Sequence, residues 1–273
     1  MTDPIQTPGC VAQAKRLVRE RIWSLLDQHG AVQPPGAAGH IPSFVGADQA
    51  AERLAELPAW TSAQVDKSNP DRAQLPVRVR ALQDGKTVYM AVPRLETVQP
   101  FYRLDPQALG DVDVDVAATG AGAARVAPRV GLDQIRPVDL IVCGSVAVDR
   151  RGVRIGKGAG YSDIEVALLH DAGLLHPQTV IVTTVHDLQV VDHPIPDSPH
   201  DFRVHLIVTP TQVIPCAPSP PPAGIDWHLV TTEQKVAIPV LGQLRPGPPP
   251  QTWQTAPRNS SQVPARPVVD ATG

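Results

Sequence analysis

Residues 139–173 read DLIVCGSVAVDRRGVRIGKGAGYSDIEVALLHDAG, and the order of parts in this stretch decides the fold. Asp139–Cys143 is a short apolar run suited to a central strand. A turn through Asp149-Arg150-Arg151-Gly152 leads to a glycine-rich loop, Arg154–Asp163. An apolar-rich helix is expected next, over about Ser162–Ala172, with Gly173 as its stop. Downstream, Val180–Thr184 (VIVTT) and Leu206–Thr209 (LIVT) read as further buried strands. Strands alternating with helices imply an α/β fold, a mainly parallel sheet sandwiched by helices.

Upstream, Val18, Ile22, Leu25 and Leu26 recur at the spacing of one helix face, which predicts a helix over Ala14–Gln28. Gly30 and Pro34-Pro35-Gly36 end it. A second short helix is expected over Asp48–Leu57, with Asp48 as N-cap or first-turn acid and Ala50, Leu54 and Leu57 sharing a face. The segment Pro76–Val92 admits two readings: a hairpin about Asp84-Gly85, or a helix ending near Gly85 and then a buried strand, Val88–Val92. Residues 105–137 read as irregular, with Gly120–Ala124 as a mobile loop. Asp111, Asp113 and Asp115 alternate there, and a solvated acidic edge is preferred to a cation site. The domain is expected over 14–216, between a loose lead-in (1–13) and a tail (217–273). Pro218–Pro222 and Pro246–Pro250 interrupt that tail, which reads as a disordered or extended linker burying little apolar surface.

The totals narrow the class of function. The chain has 273 residues, 42% of them hydrophobic and 19% charged, so it can bury a substantial core. A net charge of −3 and 4% aromatic content give neither the basic field nor the stacking positions of a nucleic-acid reader. The N-terminus lacks a signal peptide's apolar stretch and no apolar run is long enough to span a bilayer, so a cytoplasmic protein with no membrane partner is expected. Cys10, Cys143 and Cys216 share no metal spacing and fit a reducing compartment. Oligomeric state leaves no mark in the sequence.

The chemistry is concentrated in the glycine-rich loop. Alternate glycines let backbone N–H groups approach an anion, and the following helix adds its positive end. Arg154 and Lys157 bring formal charge to the same place. A tight turn carrying two solvated cations is the competing reading. The Walker loop is excluded because Lys157 precedes Gly158, and the dinucleotide fingerprint because the spacing is G-x-G-x-G. His186, His193, His200 and His205, interleaved with Asp187, Asp192, Asp197 and Asp201, read as a turn-rich surface loop in preference to a metal centre. Cys143 reads as a buried structural thiol and Trp23 as core packing.

The string Arg154-Ile-Gly-Lys-Gly-x-Gly-Tyr-x-Asp163, preceded by Asp149-x-x-Gly152, resembles the signature of the 5-formyltetrahydrofolate cyclo-ligase family. Lys15-x-x-Val18-Arg19 and His200-Asp201-x-x-Val204 resemble its flanking motifs, so the likeness runs from about residue 14 to 216. The resemblance implies an α/β sandwich and favours helix then strand for Pro76–Val92. It implies an enzyme that uses ATP and Mg2+ to phosphorylate the formyl oxygen of 5-formyltetrahydrofolate. A ring nitrogen then attacks, and phosphate leaves as 5,10-methenyltetrahydrofolate forms. Carried over by position, Lys15 and Arg19 would contact ATP phosphates. Arg154, Gly156, Lys157, Gly158 and Gly160 would form the cradle. Lys157 and Tyr161 would act at the reacting centre, with Tyr161 where nucleotide and folate meet, and Asp163 and Asp201 would hold magnesium.

The departures from the family pattern are specific. Ser162 stands for a second loop tyrosine, and Gly144-Ser-Val-Ala-Val-Asp149 lacks the usual proline and phenylalanine. The folate-contacting glutamate has no clear equivalent, Asp71 being nearest by spacing, and His205 replaces a common aspartate. These changes suggest a divergent paralogous branch. They leave two alternatives open: a nucleotide- or phosphate-binding paralogue without this reaction, and phosphoryl transfer to another small-molecule substrate.

Overall fold

The structure is a computed structural model and describes residues 8–244. Its centre is an eight-stranded sheet. In chain order the strands are β1 (Val65–Ser68), β2 (Thr87–Ala91), β3 (Phe101–Leu104), β4 (Arg129–Val130), β5 (Val138–Cys143), β6 (Ala147–Asp149), β7 (Arg154–Ile155), β8 (Leu175–Thr184), β9 (Val190–Val191), β10 (Leu206–Val208) and β11 (Val213–Pro215). The large sheet has the order β11-β10-β8-β5-β1-β2-β3-β4, and a small one the order β7-β6-β9. The five strands from β10 through β8, β5 and β1 to β2 are parallel, with antiparallel strands at the edges. This is the mainly parallel α/β sandwich expected from the alternation of strands and helices.

Nine α-helices flank the sheets among the described residues: α1 (Pro8–Gln28), α2 (Ala47–Ala55), α3 (Pro58–Thr61), α4 (Leu75–Gln83), α5 (Val114–Ala117), α6 (Gly120–Val126), α7 (Tyr161–Asp171), α8 (Thr232–Ala237) and α9 (Pro239–Gln243). Two apolar cores result because strand side chains alternate between faces. Leu140 and Val142 of β5 pack with residues of α1, α2 and α4 on one face. Val138, Ile141 and Cys143 pack with residues of α7 and α9 on the other.

Several expectations are corrected. The loose lead-in gives way to helix from Pro8, so residues 8–13 extend α1; 1–7 lie outside the described residues. The Gly-Ala run read as a mobile loop is α6: the Thr119 hydroxyl accepts from Gly122 N at 2.9 Å and caps it. Glycine fits at 122 because a Cβ there would meet the Val116 carbonyl oxygen at 1.8 Å. The three alternating aspartates are not extended, since Asp113 caps α5 by accepting from Asp115 N. Of the two roles expected for Asp48, that of first-turn acid holds, since the N-cap of α2 is Gly46. Pro76–Val92 likewise follows the helix-then-strand expectation, as α4 and then β2.

The chain beyond Cys216 also buries more than expected. Ile238, Val240 and Leu241 are at most 2% exposed and belong to the second core, and Thr231 caps α8 with a reciprocal Gln234 contact. Prolines between 218 and 222 only lengthen the connection to these helices. Residues 245–273 of the expected tail lie outside the described residues. Strand β1, Val-Asp-Lys-Ser, was not foreseen; a polar sequence with no alternation gives no strand signal.

Candidate active site

Strand order reverses between β1 and β5: from β1 the chain winds to β2, and from β5 to β8 on the opposite side. Crevices at the carboxyl ends of parallel strands form at such a point. A cavity of about 760 Å³ lies there, lined by Asn69, Pro70 and Asp71 after β1, Gly144 after β5, and Val92, Pro93 and Arg94 after β2.

The glycine-rich loop closes one side. Gly158 has φ 105° and Gly160 φ 72°, conformations that disfavour any side chain. Gly160 is the residue from which α7 starts, so the helix's first N–H groups face the cavity's edge. Arg19 reaches from α1 and donates from Nε to the Gly156 carbonyl at 2.7 Å. Burial lowers its pKa, and the neighbouring Arg154 lowers it further. Arg154 itself is 4% exposed. Its guanidinium stacks over Phe202 at 4.8 Å and donates to the Gly144 carbonyl and to Asp163. Lys157 lies 3.5 Å from Asp71.

The two acids expected to hold magnesium both line this cavity. Asp201 pairs with Lys15, which also approaches Ser198. Asp163 pairs with Arg154 at 3.4 Å. Burial raises the Asp163 pKa; Arg154 opposes that shift, and the charge on Asp201 adds to it. The two carboxylates therefore act on each other electrostatically. Among the described residues no group of three or more His, Cys, Asp or Glu could hold a metal by itself. Two hard carboxylates facing one cavity fit a magnesium ion whose remaining ligands are phosphate and water oxygens.

All ten sequence-predicted site residues line this one cavity. Of the His/Asp-rich segment only His200 and Asp201 reach the cavity; the rest disperses. His186 and Asp187 serve as cap and turn acceptors, while Asp192 and Asp197 pair with Arg150 and Arg203. Cys143 is buried, its thiol donates to the Val182 carbonyl, and burial raises its pKa. Trp23 is partly buried against the first core and donates to the His40 carbonyl.

Sequence reasoning missed three contributors. Arg94 sits at the cavity with φ 57°, a left-handed conformation uncommon outside glycine. Glu165, one turn into α7, lines the cavity and pairs with buried Lys67 of β1. Asp226, Leu229, Val230, Gln234 and Leu241 complete a wall from the chain beyond β11. Only the motif spacing around Glu165 carried any signal, and there it reads as a helix charge.

The chain matches the 5-formyltetrahydrofolate cyclo-ligase family over residues 11–210. It is 43% identical over 239 residues to the methenyltetrahydrofolate synthase domain-containing protein of Mus musculus, and 37% identical over 244 residues to that of Homo sapiens. These alignments cover 85% and 87% of this chain and 63% of each relative, so the chain spans less than two thirds of their length. The solved structure of Aquifex aeolicus 5,10-methenyltetrahydrofolate synthetase aligns with a TM-score of 0.48 and 20% identity, covering 80% of this chain and 98% of that one. Among the described residues no helix is long and apolar enough to cross a membrane. The profile match across most of the domain and the identity to these relatives establish that the chain belongs to the 5-formyltetrahydrofolate cyclo-ligase family.

Proposed function

We propose that the cavity binds ATP with magnesium beside 5-formyltetrahydrofolate and closes the folate ring to 5,10-methenyltetrahydrofolate, releasing ADP and phosphate. The observation that carries this reading is the convergence of Lys15, Arg19, Arg154 and Lys157 with Asp163 and Asp201 on one cavity. Phosphoryl transfer needs positioning and charge neutralisation more than covalent chemistry from the protein.

The backbone of Gly156, Gly158 and Gly160 cradles the phosphates, and Lys15, Arg19 and Lys157 neutralise them. Arg154, fixed by Phe202 and the Gly144 carbonyl, holds Asp163 in place and faces the transferred group. Magnesium, when bound by Asp163 and Asp201, supplies further neutralisation of phosphate charge. Tyr161, on the first turn of α7, separates the nucleotide from the folate. The formyl oxygen takes the phosphoryl group, the adjacent ring nitrogen attacks the activated carbon, and phosphate departs. A cytoplasmic setting fits this reading, which calls for neither a nucleic-acid nor a membrane partner.

The test is the absorbance of the methenyl product, with purified protein, 5-formyltetrahydrofolate and magnesium, and with ATP present or omitted. ATP-dependent product is expected. Its absence from protein shown to bind ATP would remove the folate reaction and leave a nucleotide-binding paralogue. The departure of Gly144–Asp149 from the family pattern favours one second reading, phosphoryl transfer to another small-molecule substrate. ATP consumption stimulated by a metabolite other than folate would support it.

A further inference from the structure

The floor of the cavity carries a charged pair that the phosphate machinery does not use. Lys67 is fully buried in β1 and pairs with Glu165, which is 5% exposed. The same ammonium donates to Asn69 Oδ1 at 2.7 Å. Asn69 Nδ2 in turn donates to Ser162 Oγ at 3.3 Å. Asn69, Ser162 and Glu165 all line the cavity.

Two physical points argue that this network serves a ligand. A buried ion pair contributes little net stability compared with apolar residues of equal volume, so packing does not account for it. Its unused capacity also faces outward. Lys67 and Asn69 spend their groups inside the network. The Ser162 hydroxyl, having accepted from Asn69, retains its proton to donate. Glu165 has one oxygen held by Lys67, and no described side chain hydrogen-bonds the other. Ser162 and Glu165 stand at i and i+3 on α7, neighbours on one helix face. The floor therefore presents one donor beside one charged acceptor.

We infer that Glu165, positioned by Lys67, and Ser162 recognise the lactam edge of a nitrogen heterocycle: the ring N–H donates to Glu165 and the adjacent carbonyl accepts from Ser162. The inference rests on the folate reading above and gives that substrate's pterin ring a seat. Ser162 is then a recognition group and not merely a lost ring.

The test compares binding of 5-formyltetrahydrofolate and of ATP, by calorimetry, to wild type, Glu165→Gln and the double variant Lys67→Met/Glu165→Gln. The double variant removes both charges together and guards against failure of Glu165→Gln to fold; thermal unfolding checks both proteins. Folate affinity is expected to fall at least tenfold in each variant while ATP affinity stays within twofold. A merely structural pair would weaken both ligands or neither. Folate binding by wild type that survives undiminished in the folded variants overturns this assignment alone. No folate binding by wild type overturns the folate reading and this assignment with it.

Discussion

Strands β1 and β5 lie side by side at the middle of the sheet, in parallel, with Asp66 opposite Leu140, Lys67 opposite Ile141 and Ser68 opposite Val142. All four residues of β1 are buried, and so is every residue of β5 except Asp139. Yet β5 is apolar, as a strand covered on both faces ordinarily is, while three of the four residues of β1 are polar or charged. The same environment is thus filled by two chemistries. In β5 every side chain but that of Asp139 adds to one core or the other. In β1 the two faces carry opposite charges: Lys67 meets Glu165 towards α7, and Asp66 lies towards α4 and its buried Arg78. Burial pushes the Asp66 pKa up to about 7, with Lys67 and then Arg78 opposing the shift, and neither carboxylate oxygen has a hydrogen-bond partner. A sheet of this kind gives up stability in one strand to place charge beneath its cavity.

The largest effect that would sharpen this contrast is expected from Lys67→Met. Alone it leaves Glu165 uncompensated and costs ~3–5 kcal/mol, while the double change with Glu165→Gln recovers most of that loss. Urea midpoints of the two proteins decide it; equal destabilisation would show that the pair is not the unit. In β5, Leu140→Ala should cost ~2–4 kcal/mol by leaving a cavity, with no pH dependence of its own.

Asp66→Asn should act through pH. The folded state holds a proton on Asp66 up to pH about 7, whereas the unfolded chain loses it near the ordinary aspartate value. Wild-type stability therefore falls as pH rises through that window and levels off above it. The variant lacks this loss, so it should match wild type near pH 4 and exceed it by ~1–3 kcal/mol at pH 8. Urea unfolding at the two pH values measures the difference; a parallel offset at both would break the assignment. The smallest effect belongs to the loop. Lys157→Ala should weaken ATP binding by ~1–2 kcal/mol, with stability unchanged, because its side chain is 45% exposed. Unaltered ATP affinity, measured by titration, would remove Lys157 from the cradle.

How much could be read from sequence followed the same divide. Strand β5, the alternate glycines and α7 were legible because an apolar run, glycine spacing and a helix stop each leave a local signature, whereas β6 and β7 between them, at three and two residues, are too short to leave one. The loop cations and both acids were likewise visible as a motif, and the fold brings them to one cavity. Strand β1 was not legible, since Val-Asp-Lys-Ser has no periodicity and its partners are distant: Glu165 lies 98 positions away. The Gly-Ala run of α6 misled because glycine frees an isolated backbone, whereas here its lack of a side chain permits close packing on α5. Proline clusters hid α8 and α9, whose buried Ile238, Val240 and Leu241 have meaning only against the second core.

By itself the sequence determined the α/β class, the position of the glycine-rich loop and the glycines and cations it carries. These depend on chain-local periodicity and on what a glycine or a cation can do. Tertiary structure alone decided that the cavity opens where β1 and β5 part, and that Lys67 lies beneath it paired with Glu165. It also decided that chain beyond β11 closes one wall. A buried charge is stable only beside its partner, and only the fold brings such partners together.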